Sequence, residues 1–137
     1  MEAKARRPVT VLAVDDQAIF RRTARSLIAA TPGFEQVGEA ASGPEALELA
    51  SELHPDLMLV DVRMRGMDGL ETARRLSELH PTAVVVLISV DPVPELPASI
   101  GSVGARAHLR KQELSTRTLR AVWDAHCSAP GETPSEV

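Results

Sequence analysis

Short apolar runs alternate along this chain with longer stretches of helical periodicity. Five of these runs have the length of strands, the first of them rich in β-branched residues. They are 9–14, a weaker run at 35–41, 57–61, 83–88 and a short run at 105–110. The run at 83–88 is apolar throughout, as expected for a strand that is buried on both faces of a parallel sheet.

The segments between these runs carry apolar residues at spacings of three and four, which predict helices with one buried face. The clearest of these helices cover about 17–30, 43–54, 68–80 and 114–123. Asp68 is placed to cap the third of them. Segment 91–104 should hold a crossover helix before the fifth strand, but its three prolines predict that this fourth helix of the chain is short or irregular.

Five strands that alternate with helices predict an α/β fold, with a doubly wound parallel sheet and helices on both faces. The flavodoxin-like strand order 2-1-3-4-5 is a common solution for five such strands. A chain of 137 residues has room for one domain, which we place at 9–126. Residues 1–8 are then an N-terminal extension. Residues 127–137, rich in Pro, Gly, Ser and Glu, are expected to be a disordered tail.

Composition and charge argue against several classes of function. A formal net charge of -4 and an isoelectric point near 5.5 argue against direct nucleic-acid binding, which needs a basic face. Aromatic residues make up only 2% of the chain, so platforms for base stacking are scarce. No apolar stretch has the length of a membrane span, so we expect a cytoplasmic protein with no membrane partner. The single cysteine, Cys127, excludes an internal disulfide and offers no metal cluster.

Carboxylates follow two of the predicted strands. Asp15 and Asp16 end the first strand, and Asp61 ends the third. Taken alone, Asp15 and Asp16 would be capping acids ahead of a helix. If strands one and three are neighbours, however, the three carboxylates meet at one edge of the sheet, where Mg²⁺ would relieve their repulsion. Ser89 and Lys111, at the ends of strands four and five, would bring phosphoryl-oxygen ligands to the same edge.

Four motifs, in this order, resemble the receiver domain of two-component response regulators. They are Asp15-Asp16, the stretch 61–69 (Asp-Val-Arg-Met-Arg-Gly-Met-Asp-Gly), Leu87-Ile88-Ser89 and Leu109-Arg110-Lys111. The resemblance covers about 9–123, almost the whole predicted domain. The combination at suitable spacing is far more specific than any one of the motifs.

The resemblance implies that Asp61 takes a phosphoryl group from a histidine kinase or a phosphotransfer protein. It also implies a Mg²⁺ site, formed by Asp16, Asp61 and the backbone carbonyl of Arg63, with Asp15 acting largely through water. Lys111 and Ser89 would contact the phosphoryl oxygens. The chemistry implied is self-catalysed phosphorylation and dephosphorylation of Asp61, so we expect a signalling switch rather than an enzyme.

In this family, phosphorylation draws the hydroxyl at the position of Ser89 inward, and the shift is coupled to an aromatic residue on the fifth strand. The face made by the fourth helix, the fifth strand and the fifth helix changes, and it then binds a downstream protein or a second copy. Here His108 occupies the aromatic position, so Ser89 and His108 are the predicted switch residues. Arg65 and Gln112 stand where prolines are usual.

Other functions remain open at this point. A phosphorylation-independent interaction module is motivated by His108 and by the prolines of the crossover segment. A Mg²⁺-dependent phosphatase resembling haloacid dehalogenases would need an acid two residues after its nucleophile, but Gln17 stands there after Asp15. A flavin-binding role lacks a phosphate loop after the first strand. Arg63 could also pair with Asp91 across the pocket.

Overall fold

Five parallel strands alternate with helices in the residues that the computed structural model describes, 7–90 and 104–126. The strands are β1 (Val9–Val14), β2 (Phe34–Ala40), β3 (Leu57–Asp61), β4 (Val84–Ser89) and β5 (Ala107–Arg110). The helices are α1 (Ala18–Ala29), α2 (Gly43–Leu53), α3 (Gly69–Leu79) and α4 (Thr116–His126). The strand order is β2-β1-β3-β4-β5, which confirms the predicted topology.

Some predictions fall on residues that are not described. The crossover helix of 91–104, apart from Gly104, lies outside the described residues, and so do the pair of Arg63 with Asp91 and the tail 127–137. Most of the extension 1–8 also lies outside them. The described helix α4 is therefore the one predicted to follow the fifth strand.

Polar side chains at the starts of α2 and α3 satisfy backbone N–H groups that a helix leaves unpaired in its first turn. The Asp68 carboxylate accepts a hydrogen bond from the backbone N–H of Glu71 at 2.9 Å, which confirms the predicted cap of α3. Ser42 Oγ accepts from the backbone N–H of Glu45 at 3.3 Å. These caps fix where the two helices begin, next to the carboxyl ends of the strands.

Helices cover both faces of the sheet, as predicted. On one face, α1 and α4 contribute the buried residues Ala24, Ile28, Leu119 and Val122. On the other face, α2 and α3 contribute Ala46, Ala50, Ala73 and Leu76. Every residue of β3 and β4 is buried, as expected for strands between two layers of helices. Leu53, at the end of α2, is 37% exposed.

The parallel arrangement brings the carboxyl ends of the strands to one edge of the sheet. Val14 on β1 lies opposite Val60 on β3, and Asp61 lies opposite Ile88 on β4. A 3₁₀ turn that the sequence pattern does not predict, Lys111–Glu113, follows β5 at the same edge. Among residues 7–90 and 104–126, no helix combines the length and the hydrophobicity that a membrane crossing requires.

Candidate functional site

Asp15, Asp16 and Asp61 converge at the carboxyl edge of the sheet, and we call these three residues the acidic cluster. Asp15 and Asp61 are buried, whereas Asp16 is partly exposed. One carboxylate oxygen from each residue lies within 4.8 Å of the other two. The cluster forms as expected, because β1 and β3 are neighbours in the sheet.

The donor set of the acidic cluster fits Mg²⁺. Its ligand atoms are all carboxylate oxygens, which suit a hard cation, whereas zinc would favour imidazole or thiolate ligands. A divalent cation would also relieve the repulsion among three carboxylates at this separation. The residues present are therefore compatible with the Mg²⁺ site that the sequence implies.

The electrostatic environment of Asp61 is strongly perturbed. Burial, followed by the charge of Asp15, raises the pKa of Asp61 from its ordinary 3.8 to about 6. The ammonium of Lys111 and a hydrogen bond from the backbone N–H of Arg63 act in the opposite direction, and Asp16 adds a smaller increase. Asp61 therefore remains mostly ionised at neutral pH, the state that a nucleophile or a metal ligand requires.

Lys111 extends from the 3₁₀ turn into the acidic cluster. Its Nζ lies 2.8 Å from Asp15 Oδ2 and 3.7 Å from Asp61 Oδ1. It also donates to Gln17 Oε1 at 3.4 Å and lies 4.5 Å from the centre of the Phe20 ring. Only 13% of the Lys111 side chain is exposed. The ammonium thus offsets part of the negative charge in a largely shielded position.

Ser89 and His108 form a hydrogen bond between β4 and β5 at the same carboxyl edge of the sheet. Ser89 is buried at the end of β4, and its Oγ lies 2.8 Å from Nε2 of His108 on β5. Nδ1 of His108 is buried and has no hydrogen-bond partner in the described residues. Burial lowers the pKa of His108, and the charge of Glu113 opposes this effect in part. The two predicted switch residues are therefore in direct contact.

A cleft of about 540 Å³ opens beside the acidic cluster. Its lining residues are Asp16, Gln17, Ala41, Ser42, Arg63, Met64 and Arg65. The backbone N–H of Arg65 donates to Asp16 Oδ2 at 3.1 Å. A proline, which is usual at this position in the family that the sequence resembles, has no N–H and could not make this contact.

Three residues that shape this edge carry no site prediction from the sequence. The backbone N–H of Gln17 donates to Asp15 Oδ1 at 2.8 Å. Phe20 shows only helical periodicity, which assigns it to the buried face of α1. Gly69 is visible only as the last residue of the motif 61–69, yet a Cβ placed on it would lie 1.8 Å from the carbonyl oxygen of Asp61.

Comparison with known proteins gives consistent matches. A family profile described as "Response regulator receiver domain" matches residues 11–123. Nitrate/nitrite response regulator protein NarL of Escherichia coli is 37% identical over 125 residues, which are 91% of this chain and 56% of NarL. Response regulator GacA of Pseudomonas viridiflava is 38% identical over 114 residues, or 83% of this chain and 53% of GacA. The chain thus spans about half the length of these curated relatives.

The fold has close counterparts among solved structures. The signal receiver domain of the response regulator NarL from Mycobacterium tuberculosis superimposes with a TM-score of 0.80 at 32% sequence identity. The match covers 89% of this chain and 98% of that domain. The similarity in fold therefore extends over most of this chain.

Proposed function

Because the chain belongs to the response regulator receiver domain family, we propose that Asp61 accepts a phosphoryl group from a histidine kinase or a phosphotransfer protein. The observation that carries this proposal is the meeting of Asp61 with two further carboxylates and the ammonium of Lys111. Such a site places a nucleophile next to groups that can hold and neutralise a phosphoryl group.

In the proposed transfer, a carboxylate oxygen of Asp61 forms a bond to phosphorus as the bond between phosphorus and the donor imidazole nitrogen breaks. The electron pair of that bond stays on the imidazole, and the product is an acyl phosphate. Lys111 offsets the charge of the phosphoryl oxygens, and the Ser89 hydroxyl donates a hydrogen bond to one of them. The chain's own chemistry is then limited to forming and hydrolysing this acyl phosphate.

A cation belongs to this proposal as well. The acidic cluster and the backbone carbonyl of Arg63 would hold Mg²⁺, with Asp15 acting largely through water. When bound, Mg²⁺ supplies positive charge next to the phosphoryl oxygens. The all-oxygen donor set supports this assignment.

Asp61→Asn is expected to abolish phosphorylation completely. The chain is incubated with acetyl phosphate and Mg²⁺, and its intact mass is measured for the addition of one phosphoryl group. The matched control is Asp68→Asn, an exposed acid of the following loop whose amide still caps α3, and this variant should be phosphorylated like the wild type. Absence of the added mass in the wild-type chain, or its persistence in Asp61→Asn, would contradict the proposal.

The output of the site is proposed to pass through Ser89 and His108. Binding of the Ser89 hydroxyl to the phosphoryl group would withdraw it from His108 Nε2, 2.8 Å away in this structure. The imidazole, with both nitrogens unpaired, would then turn toward solvent and alter the surface around β5. We propose that this surface binds a downstream protein or a second copy of the chain.

Beryllofluoride, a phosphoryl mimic, is expected to raise the pKa of His108 toward its ordinary range, because an imidazole that leaves its partly buried position is less desolvated. The pKa is measured by NMR titration of the ring with and without the mimic, and the resonances of His54, at the opposite edge of the sheet, are an internal control. In Ser89→Ala the mimic should leave the pKa of His108 unchanged. If the mimic changed neither the pKa of His108 nor the self-association of the wild-type chain, the phosphorylation-independent interaction module would be favoured instead.

A further inference from the structure

Within the described residues, the ammonium of Lys111 makes two contacts outside the acidic cluster, and both join it to the start of α1. Its Nζ lies 4.5 Å from the centre of the Phe20 ring and 3.4 Å from Gln17 Oε1. Phe20 lies in the first turn of α1, and Gln17 precedes that helix. A single ammonium therefore bridges the turn after β5 and the beginning of α1.

The ion pair with Asp15 is poorly suited to hold Lys111 during the proposed reaction. Asp15 belongs to the proposed Mg²⁺ site, largely through water, so a bound cation and its water compete with the ammonium for the same carboxylate. The Phe20 ring has no ligand atom for Mg²⁺, but its face attracts an ammonium. The ring is thus a contact for which the metal does not compete.

We propose that Phe20 is a positioning residue for phosphoryl transfer. The face of its ring holds the Lys111 ammonium beside Asp61 while the cation and the phosphoryl group enter, and Gln17 supports the same position. This inference rests on the proposed function of Asp61 and assigns to the same site a residue that touches neither the metal nor the phosphoryl group.

Packing alone does not require an aromatic ring at this position. Phe20 also contacts the apolar cluster beneath α1 and α4, but a leucine side chain would serve that purpose. What leucine lacks is the negative ring face. Because only 13% of the Lys111 side chain is exposed, water competes weakly for the ammonium, and removal of the ring attraction should slow phosphorylation about fivefold.

The decisive experiment replaces Phe20 with phenylalanines that carry one, two or three ring fluorines. Fluorine withdraws electron density from the ring face while the shape of the ring changes little. The rate of phosphorylation by acetyl phosphate at saturating Mg²⁺ should fall stepwise along the series, to about one fifth of the wild-type rate. The matched control is the same series at Phe34, whose ring lies 5.0 Å from the guanidinium carbon of Arg120, and it should leave the rate unchanged.

Conventional variants and NMR separate positioning from folding. Phe20→Tyr keeps the ring face and should retain the wild-type rate, whereas Phe20→Leu should lose about fivefold. The ε-methylene resonances of Lys111 should show a ring-current shift in the wild type and in Phe20→Tyr but not in Phe20→Leu. In a Lys111→Ala background, Phe20→Leu should add no further loss, whereas a purely structural role would add one.

Different experimental results would contradict this inference and the proposed function of Asp61. If the wild-type chain is phosphorylated but its rate does not respond to fluorination of Phe20, the positioning role is wrong and Asp61 remains the acceptor. If the Lys111 resonances show no dependence on the Phe20 ring, the positioning role is also wrong. If the wild-type chain takes up no phosphate, the proposed function itself fails, and the role of Phe20 fails with it.

Discussion

Gly69→Ala is expected to lower the free energy of unfolding by at least about 3 kcal/mol and to abolish phosphorylation of Asp61. A Cβ at this position would lie 1.8 Å from the carbonyl oxygen of Asp61 and 2.6 Å from Cα of Val62. Both atoms belong to the backbone at the end of β3, which is paired on both sides by β1 and β4. The clash can be relieved only if α3 or the end of β3 moves, and that movement displaces the phosphoryl acceptor.

Gly66→Ala is the matched control for this prediction, because it changes a glycine in the same loop. Gly66 has a φ of 74°, but a Cβ there would meet nothing within 4 Å. Its replacement should therefore cost only the strain of a left-handed alanine, about 1 kcal/mol. Urea denaturation of the two variants measures the difference, and equal costs would show that close approach to β3 is not what requires Gly69.

The general fold was predictable because several independent patterns agree. The fully apolar run at 83–88 predicts the buried parallel strand β4, and the segments that form α1, α2, α3 and α4 show an amphipathic period. The predicted third strand ends at Asp61, and this placed Asp61 at the carboxyl edge of the parallel sheet. Once five parallel strands are arranged in this order, the residues that follow β1 and β3 must lie side by side.

The contacts that refine the site were not predictable, because they depend on register and on packing between distant segments. The sequence places Ser89 and His108 on neighbouring strands, but only the register, in which Leu87 lies opposite His108, brings their side chains together. Phe20 has the spacing of a core residue and packs, partly buried, against the core, yet it also contacts Lys111. Helical periodicity predicts which face of a helix is buried, but it does not predict which polar group contacts that face.

Asp61→Asn is expected to make the protein more stable at pH 7 than the wild type, by up to about 3 kcal/mol in the absence of divalent cations. Burial and the neighbouring acids raise the pKa of Asp61 from 3.8 to about 6 in the folded chain. The folded state therefore binds this proton more tightly than the unfolded chain does. The stabilisation by this bound proton is complete below about pH 4 and is lost as the pH rises through 6. Above that pH the folded chain holds an ionised carboxylate, which lowers its free energy of unfolding.

Urea denaturation of both chains from pH 4 to pH 8 measures this cost. The stability difference should be small at pH 4 and should grow in favour of Asp61→Asn as the pH rises through 6. Acids away from the acidic cluster titrate alike in both chains, among them Glu71, whose pKa is lowered to about 2 by its hydrogen bonds with Arg74 and Arg75, so their contribution cancels in the difference. Asp124→Asn, at an exposed position of α4, should show no such pH-dependent gain.

Mg²⁺ provides the complementary test of the same charge. Added Mg²⁺ should stabilise the wild-type chain at pH 7, because a ligand that binds only the folded state shifts the unfolding equilibrium toward it. The stabilisation should be much smaller in Asp61→Asn, which lacks one of the three carboxylates. The stability difference between the wild type and Asp61→Asn could prove independent of pH, with equal responses of both chains to Mg²⁺. The ionised carboxylate of Asp61 would then not be what destabilises the wild-type chain. If the difference behaves as expected, the fold gives up stability at neutral pH to keep an ionised acid where a phosphoryl group can be received.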